Sequence, residues 1–147
     1  MFFDKIPELT RKDGLYLKDL PDKGRGVFCK YDIKEGEVIE ITPSLLLKQK
    51  DYPDQDSIIK NYVFMVEKVS RVVRGLLGVK NNKELSLLVM GVSSFCNNNP
   101  YPNLKYEQIT TLYTIYFKLT AVKDIPKGTE LCINYGENWF SLRKARN

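Results

Sequence analysis

Apolar and polar positions alternate in short runs over the first fifty residues. Gly14 to Leu20 alternates loosely, Gly26 to Lys30 carries Val27 and Phe28, and Val38 to Thr42 alternates up to Pro43, so each stretch predicts a strand. Between them, Asp32-Ile33-Lys34-Glu35-Gly36-Glu37 reads as a turn. The period then changes. From Ser57 to Leu77, the residues Ile58, Ile59, Tyr62, Val63, Val66, Val69, Val73, Leu76 and Leu77 recur at helical spacing, which predicts a helix capped by Ser57 and ended by Gly78. Its valines count against it, because β-branched side chains lose rotamer freedom in a helix.

Asn81-Asn82 breaks the pattern, and Leu85 to Phe95 is an apolar run that periodicity assigns to neither helix nor strand. Asn97-Asn98-Asn99-Pro100-Tyr101-Pro102-Asn103 is turn-forming. Leu112 to Val122 returns to period two, with Tyr113, Ile115, Phe117, Leu119 and Ala121 on one side, as a strand or strand pair. Ile125 to Thr129 is a further turn and Leu131 to Asn134 a further strand. No repeat, linker or low-complexity stretch divides the chain, and the expectation is one mostly β (α+β) domain with one or two inserted helices.

Composition narrows the chemistry. The 147 residues include no histidine, which removes Ser-His-Asp and Cys-His catalysis and every imidazole metal site. Cys29, Cys96 and Cys132 are too few and too scattered for an all-cysteine zinc site or a disulfide framework, so no metal is expected. Reduced thiols, the lack of a signal-peptide layout near Asp4 and Glu8, and the asparagines and prolines that interrupt the longest uncharged run, Leu85 to Leu104, lead to the expectation of a soluble intracellular protein with no membrane partner. A reducing compartment, nuclear or cytoplasmic, fits. Net charge is +5, and the segment from Lys60 to Lys83 carries that whole excess, with Lys60, Lys68, Arg71, Arg74, Lys80 and Lys83 against Glu67. Such a segment can contact nucleic acid, but without any nucleic-acid motif a solvated helix face accounts for it better.

The usual nucleotide and calcium motifs are absent. Gly24-Arg25-Gly26 lacks the third glycine of a dinucleotide fingerprint, and the acidic residues Asp51, Asp54 and Asp56 lack the glycine and terminal glutamate of a calcium loop. Three segments stand out: Lys23-Gly24-Arg25-Gly26-Val27-Phe28, the cluster Phe95-Cys96-Asn97-Asn98 with Pro102-Asn103, and Asp124 to Leu131 leading to Tyr135-Gly136. Turn chemistry explains each one alone.

In this order and spacing, together with Ile33-Lys34-Glu35-Gly36-Glu37-Val38-Ile39, they resemble the SET-domain family of protein lysine methyltransferases. The resemblance covers about Gly14 to Phe140 and implies a β-clip fold of several small sheets, with an insert over about residues 48–90 and a threaded C-terminal segment. The size is similar to minimal viral-type members without cysteine-rich flanks. It implies S-adenosyl-L-methionine as cofactor and a protein lysine as substrate, with histone tails among the candidates.

Carried over residue by residue, Lys23, Gly24, Arg25, Gly26 and Phe28 would lie along the cofactor, where glycines let the backbone approach closely. Asn97 would bond its methionine end through the side-chain amide. Asn98 stands where the family has histidine, and Trp139 and Phe140 stand in for the family's cysteine-rich cover. Tyr135 would be the catalytic tyrosine. Tyr62 and Ile133 would line the substrate channel, Ile133 standing two residues before the tyrosine, where the family often has Phe or Tyr. The alternative is a SET-like module that binds protein or nucleic acid without turnover. The oligomeric state stays open, a homodimer included.

Overall fold

Period-two alternation becomes strand pairing in the computed structural model, which describes residues 5–52 and 58–136. The strands are β1 (Thr10–Arg11), β2 (Leu15–Leu20), β3 (Gly24–Cys29), β4 (Val38–Lys48), β5 (Val63–Met65), β6 (Leu85–Val89), β7 (Asn97–Asn98), β8 (Leu104–Thr110), β9 (Ile115–Ala121) and β10 (Glu130–Ile133). Among the described residues α1 (Arg71–Leu77) is the only α-helix. One curled sheet has the order β5-β6-β4-β9-β8 with β1 beside β4, and the other has the order β2-β3-β10-β7. The expected mostly β architecture of small sheets is what forms.

The long helix expected over residues 57–77 does not form. Ile58–Asn61 is a 3-10 turn, Val63–Met65 is a strand paired antiparallel with Leu88 to Ser86, and only Arg71–Leu77 is α-helical. Burial decides this. As strand, Phe64 reaches the core at 6% exposure, and valine suits a pleated surface better than a helix. Gly78 does end the helix in a left-handed conformation, but the N-cap is Ser70, whose side chain accepts from Val73 N. Ser57, the expected cap, lies outside the described residues. The six basic residues from Lys60 to Lys83 are consequently spread over several short elements rather than along one helix face.

Two further strand expectations change. β4 continues through Pro43, which sits at the changeover: Val38 to Pro43 pairs with β9, and Ser44 to Lys48 pairs with β6. A residue without an N–H costs least where a strand exchanges partners. Residues 104–110, not assigned from the pattern, form β8 and pair with β9 along their whole length.

The absence of a repeat also needs qualification. Asp32-Ile33-Lys34-Glu35-Gly36 and Asp124-Ile125-Pro126-Lys127-Gly128 share one pattern and clasp each other. Ile33 and Ile125 exchange backbone bonds of 2.8 and 2.7 Å. Asp124 Oδ1 accepts from Glu35 N at 2.9 Å, and Asp32 Oδ1 accepts from Lys127 N at 2.8 Å. Each aspartate thus fixes the other segment's turn.

The core lies between the sheets around Phe117, Leu119, Leu87, Leu131 and Ile133, all 0% exposed. Among the described residues, no helix is long and apolar enough to cross a membrane. Cys29, Cys96 and Cys132 are buried free thiols.

Candidate active site

Strand β3 supplies the first wall. Its alternation sends Val27 and Cys29 into the core, and Arg25 on the same side reaches two rings: its guanidinium lies 4.6 Å from the Phe95 ring centre and 5.3 Å from that of Tyr62. Arg25 also donates to the Tyr62 hydroxyl, and Tyr62 meets Phe95 edge-on at 5.9 Å. Gly24 has a φ of +82°, which favours glycine. Gly26 matters for a different reason, because a β-carbon there would lie 2.5 Å from Glu130 Oε2 and displace that carboxylate.

A 3-10 turn, Val92–Phe95, supplies the second wall and is clamped from beneath. Glu40, 0% exposed, accepts from Val92 N at 3.2 Å, Ser93 N at 2.8 Å and Ser93 Oγ at 2.6 Å, with Arg11 Nε 3.4 Å away. A buried carboxylate is tolerable only with such a full set of donors. The clamp fixes the turn that presents Phe95, the Cys96 carbonyl and Asn97.

Asn97 then joins the walls. Its Nδ2 donates to Arg25 O at 2.7 Å and to Glu130 Oε2 at 2.6 Å, while Glu130 Oε1 accepts from Lys23 Nζ at 3.0 Å. The Glu130 hydrogen bond raises the pKa of Lys23.

The third wall comes from the parallel pairing of β7 with β10, in which Cys132 faces Asn97 and Ile133 faces Asn98. Beyond it, Asn98 Oδ1 accepts from Tyr135 N at 2.7 Å, and the Tyr135 hydroxyl donates to Cys96 O. The Tyr135 ring meets Phe64 edge-on at 6.0 Å, and Phe64 contacts Tyr106 at 5.6 Å and Phe117 at 4.8 Å. Burial raises the Tyr106 phenol pKa, and Glu67 adds to the shift.

A cavity of about 220 Å³ opens among these walls, with Lys23, Arg25, Tyr62, Phe95, Asn97 and Tyr135 around it. A larger, mostly apolar cleft of about 580 Å³ adjoins it, sharing Arg25, Tyr62 and Phe95 and reaching Leu17 and Met90.

Of the residues expected at a site, Lys23, Arg25, Tyr62, Asn97 and Tyr135 meet at the smaller cavity. Asn98 stands one hydrogen bond behind Tyr135. Gly24 and Gly26 form the strand beneath. Two residues are elsewhere. Phe28 turns away and stacks on Tyr16 at 5.8 Å, and Ile133 is 0% exposed in the core, because the alternation of β10 sends 131 and 133 inward together. Trp139 and Phe140 lie outside the described residues. Sequence reasoning missed Glu40 and left Phe95 and Glu130, both within the motifs, without a role. A lone acid among the apolar residues of a strand was the available signal for both glutamates.

Known proteins resemble this chain in sequence and in fold. The family model described as SET domain matches residues 24–136. A Schizosaccharomyces pombe protein, "Histone-lysine N-methyltransferase, H3 lysine-37 specific", is 28% identical over 139 residues, spanning 92% of this chain and 82% of that protein. The histone-lysine N-methyltransferase EZH2 of Chaetomium thermophilum is 30% identical over 122 residues, which is 82% of this chain but 8% of that protein. The Neurospora SET domain protein DIM-5, a histone lysine methyltransferase, superposes with a TM-score of 0.61 at 23% identity, covering 86% of this chain and 54% of that one.

Proposed function

The chain belongs to the SET-domain family, and on that premise we propose that it transfers methyl groups from S-adenosyl-L-methionine to lysine side chains of a protein, histone tails being the first candidates. The observation that carries this reading is the meeting of three distant segments, around Arg25, Asn97 and Tyr135, at one cavity. The lining suits the cofactor's amino-acid end: Lys23 and Arg25 offer cations for a carboxylate, and the oxygens of Asn97 and Cys96 offer acceptors for an ammonium. When bound, S-adenosyl-L-methionine supplies an electrophilic methyl group.

The chain's own residues would meet the remaining demand, which is a neutral amine. A free lysine at pH 7 must lose its proton at a cost of about 4.6 kcal/mol. Tyr62, Phe95 and Tyr135 bring aromatic ring surface to the cavity, and desolvation against it lowers an ammonium pKa. No histidine base is needed. The Tyr135 phenol, fixed by Cys96 O while Asn98 holds the Tyr135 backbone N–H, orients the amine lone pair, and alignment of this kind contributes several kcal/mol. Three buried free thiols support a reducing intracellular setting, nuclear or cytoplasmic.

The test is incubation with labelled methyl donor and a histone and lysate panel, read by mass spectrometry. Label on lysine is expected. Tyr135→Phe should bind the cofactor normally and lose at least about a hundredfold in transfer. Cofactor binding without any labelled lysine would favour the non-catalytic module, and equal turnover in both proteins would remove Tyr135 from the mechanism.

A further inference from the structure

The basic residues between Lys60 and Lys83 share no single helix face, but the fold regroups two of them with two lysines from far upstream. Strand β4 ends at Lys48, which pairs with Leu85 at the start of β6, and the 3-10 turn Gln49–Asp51 follows it. A second 3-10 turn, Asn82–Glu84, leads directly into Leu85. The strand pairing therefore sets both turns side by side. Lys48, Lys50 and Lys83 surround a cavity of about 320 Å³ that Gly78 and Val79 also line, and Lys80 is the next residue in the chain.

Charge at this end is unspent. Elsewhere Arg11, Lys12 and Lys23 each meet a carboxylate within 3.4 Å, whereas among the described residues Lys48, Lys50, Lys80 and Lys83 meet none. The two acids here are Asp51 and Glu84. Lys80 and Lys50 help to lower the Glu84 pKa, but Glu84 Oε2 is occupied by Lys80 N at 2.7 Å and Asn81 N at 3.1 Å. Helix α1, whose C-cap Gly78 lines the same cavity, adds Arg71 and Arg74, again without an acidic partner among the described residues.

We propose that this end of the β4–β6 ladder is a docking surface for duplex DNA, held through its phosphates without regard to sequence. No aromatic ring or arginine lines the cavity, so it has nothing to stack on bases, to read their edges or to anchor a protein partner. Lysine ammoniums are point charges suited to phosphates, and a duplex carries one charge about every 1.7 Å of its axis, dense enough to engage several together. The placement is also open. Ser44 and Val89 close the other end of the ladder, roughly 14 Å away by strand rise, and β6 runs on from there into the Val92–Phe95 turn of the candidate active site. A bound duplex leaves that site uncovered. The proposal makes no use of the methyl donor and stands or falls apart from that reading.

The test is fluorescence anisotropy of the whole chain with two short duplexes of unrelated sequence. Both should bind alike, and affinity should fall about a hundredfold between about 50 and 200 mM salt, as about four phosphate contacts require. Lys48→Gln, Lys50→Gln and Lys83→Gln combined should reduce the slope of log affinity against log salt by about 2.7. Lys30→Gln, Lys34→Gln and Lys105→Gln combined remove the same charge from other exposed positions and should leave that slope unchanged. In the wild-type chain, duplex should protect Lys48, Lys50 and Lys83 from acetylation, read by mass spectrometry, a measurement that needs no variant. No binding at low salt, binding indifferent to salt, equal loss of slope in both triple variants, tighter binding of single-stranded RNA or of an acidic peptide, or unprotected lysines each overturn the proposal.

Discussion

Position 91 shows how a missing side chain can hold a site together. A β-carbon there would lie 2.5 Å from Glu40 Oε1 and 2.7 Å from Oε2, and Glu40 cannot retreat without leaving Val92 N, Ser93 N and Ser93 Oγ unpaired. Gly91→Ala is therefore expected to cost about 2 kcal/mol or more in chemical denaturation; an unchanged midpoint would mean the clamp is slack. Residue-level chemistry also sets an alkaline limit. Burial, with Glu130 adding, pushes the Cys132 thiol up to about 11, whereas an unperturbed thiol ionises near 9.0. Between those values the unfolded chain releases a proton that the folded chain retains, so stability should fall as pH rises from about 9 to 11. Cys132→Ser should reduce the slope of that part of the stability curve, the Cys96 thiol, also held up by burial, supplying the rest. Free cysteines followed from their number and spacing, but neither glutamate partnership did, because an acid in a strand pattern reads equally well as a solvent-facing residue.

At the scale of elements, α1 depends on its cap. Ser70 Oγ accepts from Val73 N at 3.1 Å and donates to Leu112 O at 2.7 Å, tying the helix start to the turn before β9. Ser70→Ala should cost about 1–2 kcal/mol, measured by thermal or chemical unfolding. The turn at Asn82–Glu84 has its own capping box, in which Glu84 accepts from Lys80 N and Asn81 N. Those bonds lower the Glu84 pKa, so their contribution is present at neutral pH and is lost on acidification through that lowered value. The strands β2, β3, β9 and β10 were legible from alternation and turn residues. The segment 58–77 was not, because its apolar spacing satisfies a helix while its β-branched residues and the pairing of β5 with β6 satisfy a strand. Tertiary burial of Phe64 settled the matter.

For the molecule as a whole, closure comes from pairings between residues far apart in the chain. β3 meets β10, and the Ile33–Ile125 clasp joins the two segments that lead into β4 and β10. Asp32 and Asp124 each hold the other's turn, so their effects should couple. Each substitution by alanine is expected to cost about 1 kcal/mol, and the double variant at least about 0.5 kcal/mol less than the sum, as an opened clasp has little left to lose. Strict additivity in a double-mutant cycle would show two independent turns. The site has the same global character, since Asn97 is bonded to Arg25 across 72 positions and Tyr135 to Cys96 across 39.

Local information was enough for most strands, for the turns at Gly36, Gly78 and Gly128, and for the exclusion of imidazole chemistry, because alternation, left-handed glycines and composition act within a few residues of themselves. The order of the motifs carried the family. Tertiary structure alone decided that residues 63–65 are a strand, that Ile133 belongs to the core, and that Glu40 and Glu130 hold the site from behind. A polar side chain can satisfy its hydrogen bonds with many partners, and only the folded packing, by placing donors within about 3 Å, selects among them.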